Sequence, residues 1–211
     1  MARTRGAVYA ASMSKIVVFL SLTLDGVMQA PARPDEDRRG GFEQGGWAIP
    51  YSDPSDPVQA EVTAQSMSSG GALLLGRRTY EDFYSVWPHR TDNPFTEVLN
   101  ASTKYVASRT LRDPLPWQNS ILLSGDAAEW VARLRAEPGK DTVILGSGEL
   151  VRSLVGANLI DRYILQIHPL VLGSGQRLFA DDGTQARLRL VDARPTGTGV
   201  VIGTYEPAES G

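Results

Sequence analysis

The chain has 211 residues, of which 42% are hydrophobic and 21% are charged, and its formal net charge is -3 at pH 7. This length can bury one sizeable core, and the lack of a basic excess argues against a nucleic-acid-binding protein. There are no cysteines and only two histidines, so disulfides, thiolate metal ligands and a histidine-rich metal centre are not expected.

The N-terminal residues are predicted to lie outside the fold. Residues 1–13 contain two arginines and a short, weakly apolar run, which is less than a secretory signal peptide requires. The longest apolar run, at 16–20, is too short to cross a bilayer. We therefore expect an N-terminal extension without fixed structure over residues 1–13, a domain over residues 14–207, no membrane attachment and a cytoplasmic location.

Strands and helices alternate along the first three quarters of the chain. Residues 15–22 are dense in β-branched and aliphatic side chains and predict a strand buried on both faces. A long loop rich in Gly, Pro and charge follows at 29–57, and loops of this length in compact domains are commonly functional. The next predicted elements are a helix opened by Pro57, a strand at 72–75, a helix at 80–86, strands at 103–107 and 120–123, a helix at 126–137, a strand at 141–145 and a further helix after Gly148.

The C-terminal part has a different pattern. Residues 160–172 are strand-rich without an intervening helix, and residues 187–191 and 199–205 predict a hairpin. Alternating strands and helices predict a mostly parallel sheet with helices on both faces, and the late strands predict antiparallel additions at one edge. The fold class is therefore α/β, with three layers and one domain.

Three strand-to-helix turns have residues that suit phosphate groups. Gly146-Ser147-Gly148 allows a close backbone approach at a helix N-terminus, although it lacks the full dinucleotide fingerprint of a Rossmann domain. The segments 76–79 and 108–110 each place arginine and hydroxyl donors after a strand. Taken alone, each is equally compatible with a ligand-free turn or with solvated surface arginines. Together they favour a phosphate site.

Four motifs in order resemble a known superfamily. They are Ser21–Gly26, Leu74–Tyr80, Val143–Gly148, and Ile167–Gly175 with Leu178-Phe179. The chain resembles the dihydrofolate reductase-like superfamily over about residues 14–206. Within it, the chain is similar to the branch of the riboflavin-biosynthesis reductase domain, which has stand-alone bacterial members.

The resemblance implies a three-layer dihydrofolate reductase-like fold and NADPH as cofactor. It implies that Gly76, Arg77, Arg78 and Thr79 hold the adenosine side, Ser108 and Arg109 the 2'-phosphate, and Gly146, Ser147, Gly148 and Glu149 the pyrophosphate. The loop after Asp25-Gly26 would close over nicotinamide and substrate. The expected activity is reduction of a small heterocycle of pyrimidine or pterin type, as in 5-amino-6-(5-phosphoribosylamino)uracil reductase.

The catalytic and substrate groups are less clearly marked. Glu61 is nearest to the position of the acid that folate enzymes carry on their first helix, and Asp25 follows the first strand, so these two are the catalytic candidates. Ser21 and Trp47 are the candidates for substrate contact. Because the sequence gives only a weak indication of a catalytic acid, the alternative to a reductase is an NADPH-binding regulatory protein without turnover. No metal is expected, and a homodimer is a further expectation.

Overall fold

The computed structural model describes residues 13–93, 95–179 and 185–208. Residues 1–12 of the extension predicted over residues 1–13 lie outside them, whereas Met13 pairs with Pro138 in an antiparallel bridge. The described residues contain eight strands: β1 (Ile16–Thr23), β2 (Gly70–Gly76), β3 (Thr103–Ala107), β4 (Ser120–Leu123), β5 (Asp141–Leu145), β6 (Arg162–His168), β7 (Leu188–Pro195) and β8 (Val201–Pro207). They also contain the helices α1 (Pro57–Ser69), α2 (Arg77–Val86), α3 (Phe95–Ala101), α4 (Ala127–Ala136) and α5 (Gly148–Gly156).

The strands form one sheet in the order β4-β3-β2-β5-β1-β6-β8-β7. The first six in this order are parallel to one another, whereas β8 runs antiparallel to both β6 and β7. The predicted fold class, a mostly parallel sheet with antiparallel C-terminal edge strands, is confirmed. Because parallel strands end on the same side, the loops after β1, β2, β3 and β5 emerge along one edge of the sheet.

Helices cover both faces of the sheet and produce two cores. On one face, alternate side chains of β1 such as Val18 and Leu20 pack with Val131 of α4 and Val151 of α5. On the other face, Val17 belongs to a cluster that also contains the fully buried Tyr80, Leu99 and Trp117. This alternation explains why β1 reads as a continuous apolar run, since both of its faces are buried.

Most predicted elements are confirmed, several with the predicted bounds. β3, β4 and β5 occupy the predicted residues, and the C-terminal hairpin is formed by β7 and β8. Helix α2 begins at Arg77, three residues before the predicted start, because the chain turns directly from β2 into the helix at Gly76. Helix α3 was not predicted, since its seven residues are too few to show a helical period. No helix in the described part of the chain is long and apolar enough to cross a membrane.

Candidate active site

A cavity of about 1010 Å³ follows the carboxyl-terminal edge of the sheet. Its lining comes from residues at or near the ends of β4, β3, β2, β5, β1 and β6, which are consecutive neighbours in the sheet. With about 4.8 Å between neighbouring strands, six ends span about 24 Å. Ligands of open α/β sheets bind at this edge. A cavity of this length and volume has room for an extended dinucleotide together with a small molecule.

The cavity brings together the three loops that the sequence indicated as phosphate-binding candidates. All ten predicted cofactor residues line it, and so does Ser21. The ten are Gly76, Arg77, Arg78 and Thr79 after β2, Ser108 and Arg109 after β3, and Gly146, Ser147, Gly148 and Glu149 after β5. Their convergence is a property of the fold, whereas their contact with a cofactor stays a prediction.

Two hydrogen bonds fasten the loop after β2 to the loop after β5. The Gly76 N–H donates to Ser147 Oγ over 2.9 Å, and the Ser147 N–H donates to Thr79 Oγ1 over 3.1 Å. Ser147 holds this position in the left-handed region, with φ 60°, which is costly for a residue other than glycine. Ser147 and Thr79 therefore position the two loops relative to each other.

Glycine is required where these loops approach other parts of the cavity. A Cβ on Gly146, whose φ is +60°, would lie 3.1 Å from Thr79 Cγ2. A Cβ on Gly148 would lie 1.7 Å from Cε of Met28, so any side chain there has to displace Met28. The missing side chains let Met28 pack on the start of α5 and let Thr79 approach Gly146.

The arginines of the lining differ in what they already bind. The Arg77 guanidinium pairs with Glu81 over 3.2 Å, and the Arg78 guanidinium pairs with Glu149 over 3.1 Å. Arg109 is exposed, and none of the described acidic residues forms an ion pair with it. Arg109 is therefore the lining arginine after β3 whose charge is available to an anion.

Glu149 occupies a place that suits an anion. It lies in the first turn of α5, and its Oε1 accepts hydrogen bonds from Arg39 over 3.0 Å and from Arg78 over 3.1 Å. A carboxylate that binds two guanidiniums competes with a phosphate for them. The resemblance implies that Glu149 lies at the pyrophosphate, and a pyrophosphate bound there would compete with its carboxylate for Arg39 and Arg78. The sequence did not reveal Arg39 as part of this arrangement.

Replacing Glu149 by Gln is therefore expected to tighten NADPH binding about fivefold. The exposed ion pairs that it releases are worth about 1 kcal/mol, which corresponds to about a fivefold change in Kd. A fluorescence titration with NADPH measures the effect. Glu129→Gln, which removes an exposed carboxylate from α4 with the same change in net charge, should leave the Kd unchanged. Weaker binding by Glu149→Gln would show that the carboxylate itself holds the cofactor.

One wall of the cavity is formed by part of the long loop after β1. Nine of residues 28–39, here called the strap, line the cavity. Arg33 of the strap donates two hydrogen bonds to the Asp82 carboxylate on α2, and Arg39 binds Glu149 on α5. The strap is thus fastened to helices on both faces of the sheet, at the position where the sequence predicted a loop that closes over the site.

The strap contributes an acid that sequence reasoning missed. Glu36 lines the cavity, and its Oε2 accepts the N–H groups of Ala32 (2.8 Å) and Arg33 (3.2 Å). Burial raises the pKa of Glu36, and the nearby Asp82 carboxylate raises it further against the opposing effect of the two N–H groups. No sequence signal separates Glu36 from the other acids of its loop, because the loop has no periodic pattern.

Asp25 lies outside the cavity lining and shapes the turn after β1. Its carboxylate accepts hydrogen bonds from Thr23 Oγ1 (2.6 Å), the Leu172 N–H (3.2 Å) and the Gly173 N–H (2.9 Å). The Thr23 hydroxyl is the main reason that the pKa of Asp25 falls to about 2. A carboxylate that stays ionised near neutral pH is a poor proton donor, so its position gives no support to the predicted catalytic role.

Glu61 and Trp47 also lie outside the lining. Glu61 is exposed on α1 and pairs with Arg194 of β7 over 3.0 Å. Trp47 is buried, and its indole N–H donates to the backbone oxygen of Gln29 over 2.7 Å. The structure therefore does not bring these two predicted residues to the cavity. Glu61 forms an ion pair with β7 instead, and Trp47 packs against the strap from the side away from the cavity lining.

Within residues 13–93, 95–179 and 185–208, no group of three or more His, Cys, Asp or Glu side chains is arranged to hold a metal ion.

Comparison with known proteins adds a family and a set of similar folds. The model of a family described as the RibD C-terminal domain matches residues 14–202. Uncharacterized protein YyaP of Bacillus subtilis (strain 168) is 28% identical over 196 residues, which cover 90% of this chain and 94% of that protein.

Two solved structures show the shared fold. A putative riboflavin biosynthesis protein from Shewanella sp. PV-4 has a TM-score of 0.70 at 21% identity, with 92% of this chain and 99% of that chain covered. Dihydrofolate reductase from Enterococcus faecalis, complexed with NADP(H) and RAB-propyl, has a TM-score of 0.58 at 14% identity, with 92% and 97% covered.

Proposed function

The chain belongs to the RibD C-terminal domain family, and we propose that it is an NADPH-dependent reductase of a small heterocyclic substrate of pyrimidine or pterin type. The observation that carries the proposal is the convergence of the loops after β2, β3 and β5 on one cavity. The NADP(H) complex of the structurally similar Enterococcus faecalis enzyme supports the choice of cofactor.

The residues of the cavity fit this cofactor. Arg109 offers a guanidinium that no described acid neutralises, which suits the 2'-phosphate. Gly146 and Ser147 line the cavity at the N-terminus of α5, whose backbone N–H groups suit a pyrophosphate. When bound, the nicotinamide supplies a hydride. The protein then has to align the nicotinamide with the reacting carbon of the substrate and to exclude water from the cavity.

Glu36 is the group that we assign as proton donor. Its Oε2 is held by two backbone N–H groups, whereas its Oε1 has no hydrogen-bond partner in the described part of the chain, so Oε1 is the oxygen that can carry a proton for transfer. The raised pKa of Glu36 keeps more of the protonated form available toward neutral pH. Asp25 and Glu61 offer no such group, because neither faces the cavity.

The proposal is tested by titrating the protein with NADPH and with NADH while nicotinamide fluorescence is recorded. We expect NADPH to bind at least tenfold more tightly than NADH, since only NADPH carries a phosphate for Arg109. Equal and negligible responses to the two dinucleotides would contradict the proposal. NADPH binding without oxidation across a panel of pyrimidines and pterins would instead favour a regulatory protein.

A further inference from the structure

The guanidinium of Arg39, at the end of the strap, is bound by three side chains. Its Nε donates to Asp37 Oδ1 over 2.9 Å, and its Nη2 donates to Asp37 Oδ2 over 2.6 Å and to Gln176 Oε1 over 3.3 Å. Its Nη1 donates to Glu149 Oε1 on α5 over 3.0 Å. Asp37 and Gln176 therefore fix the plane of the guanidinium and leave Nη1 directed at α5. A donor whose orientation is fixed in advance loses little conformational entropy when it binds an anion.

The contact with Glu149 is the most exposed of the carboxylate contacts of Arg39. The Glu149 side chain is 65% exposed, whereas that of Asp37 is 22% exposed. Glu149 Oε1 also accepts a hydrogen bond from Arg78 of α2 over 3.1 Å, so two guanidiniums meet at one carboxylate oxygen. A phosphate oxygen suits the same two donors. Because exposed ion pairs contribute little stability, an anion with more charge than a carboxylate can replace Glu149.

The same contact joins the end of the strap to α5. At the start of the strap, Met28 packs on Gly148 in the first turn of α5, and a separate ion pair joins the middle of the strap to α2. At the end of the strap, the pair between Arg39 and Glu149 is the one ion pair to α5 among the described residues. The group that binds Nη1 of Arg39 therefore holds this end of the strap in place.

We propose that Arg39 is an anion clamp on the strap, which binds Glu149 in the free protein and exchanges Glu149 for a pyrophosphate oxygen when the cofactor binds. The cofactor then holds the strap against α5. Arg39 contacts the part that NADPH and NADH share, in contrast to the assignment of Arg109. Since the strap also carries Glu36, the cofactor completes the wall of the substrate site and binds before the substrate. This assignment rests on the proposed function, because it adds a cofactor contact in the same cavity.

The first test measures the affinity of Arg39→Ala for NADPH and for NADH by fluorescence titration of the full-length protein. We expect both Kd values to rise by the same factor, about fivefold, because the lost contact is partly exposed and serves the shared pyrophosphate. Arg90→Ala is the matched control. Arg90 is a partly exposed arginine that also pairs with an aspartate two residues away, Asp92, and it lies outside the lining, so both affinities should stay unchanged.

The second test measures hydrogen exchange of the backbone in residues 28–39, with inorganic pyrophosphate as the probe. In Glu149→Gln without ligand, we expect exchange about fivefold faster than in wild type, because the pair that holds the strap is weakened. Saturating pyrophosphate should return the rate to that of wild type, since it takes the place of the carboxylate. In the double variant Glu149→Gln/Arg39→Ala the rate should stay high with pyrophosphate. A purely structural ion pair would give no such rescue.

Two results would overturn the assignment. One is an Arg39→Ala variant whose affinities are unchanged or fall for NADPH alone, and the other is a Glu149→Gln strap that still exchanges fast in pyrophosphate. If neither dinucleotide binds to the wild-type protein, the proposed function fails. The exchange experiment then still decides the role of Arg39, because pyrophosphate presents the anion without the nicotinamide.

Discussion

Arg109→Ala is expected to weaken NADPH binding about 30-fold and to change NADH binding less than twofold. Arg109 lines the cavity after β3 without an acidic partner among the described residues, so its charge is available to the 2'-phosphate that NADH lacks. A hydrogen bond to a charged group contributes about 2 kcal/mol, which corresponds to about 30-fold in Kd. Parallel fluorescence titrations of the variant with the two dinucleotides provide the measurement.

Arg112→Ala provides the matched control for this effect. Arg112 lies on the same loop, is exposed, and donates a hydrogen bond to the backbone oxygen of Leu111 instead of facing the cavity. It should leave both affinities unchanged, although it removes the same charge. An equal loss of NADPH and NADH affinity in Arg109→Ala would show that the 2'-phosphate does not bind at this arginine.

Lys104→Met is expected to lower the free energy of unfolding by about 3 kcal/mol. Lys104 is fully buried, and its Nζ donates to the backbone oxygens of Leu99 (2.7 Å), Asn100 (3.3 Å) and Ser102 (2.7 Å). Nζ also lies 4.6 Å from the centroid of the Trp117 ring. Methionine fills a similar volume but leaves the backbone oxygens of Leu99 and Ser102 without this donor, and each unsatisfied buried group costs about 1–3 kcal/mol. Urea unfolding measures the loss.

The same lysine gives the protein a pH-dependent component of stability. Burial lowers the pKa of Lys104 from its ordinary 10.5 to about 8. Between these two values the unfolded chain binds more protons than the folded chain, so this contribution to stability rises as the pH rises from about 8 to about 10.5. The difference in unfolding free energy between wild type and Lys104→Met should therefore grow over this window.

Lys140→Met, at an exposed lysine, is the control for this pH effect. Its difference from wild type should stay constant over the same pH range. A difference for Lys104→Met that shrinks with rising pH would show that the three carbonyls stabilise the charged lysine more than burial destabilises it.

Much of the fold was predictable because it depends on local patterns. β3, β4 and β5 are short apolar strands that end at turn residues, and their bounds follow from composition alone. The order of the strands depends on long-range pairing instead. β8 lies between β6 and β7, and no local pattern fixes that arrangement.

The predictions for the site also divide into those that depend on local patterns and those that depend on the fold. The loops at 76–79, 108–109 and 146–149 were found because each has a recognisable composition directly after a strand. Glu36 was missed because its loop has no regular pattern, and for the same reason nothing in the sequence placed Arg39 beside Glu149. The predictions for Asp25 and Glu61 relied on position in the sequence. The structure places Asp25 in hydrogen bonds with the loop after β6 and Glu61 in an ion pair with Arg194, and their catalytic roles stay predictions.

A crystal structure of the protein grown with NADPH tests the central claim most directly. We expect the dinucleotide to lie along the ends of β3, β2 and β5, with its 2'-phosphate at Arg109, its pyrophosphate at the start of α5 and the Glu149 side chain displaced. Density for NADPH on another face, or a saturated crystal without density in this cavity, would contradict the account.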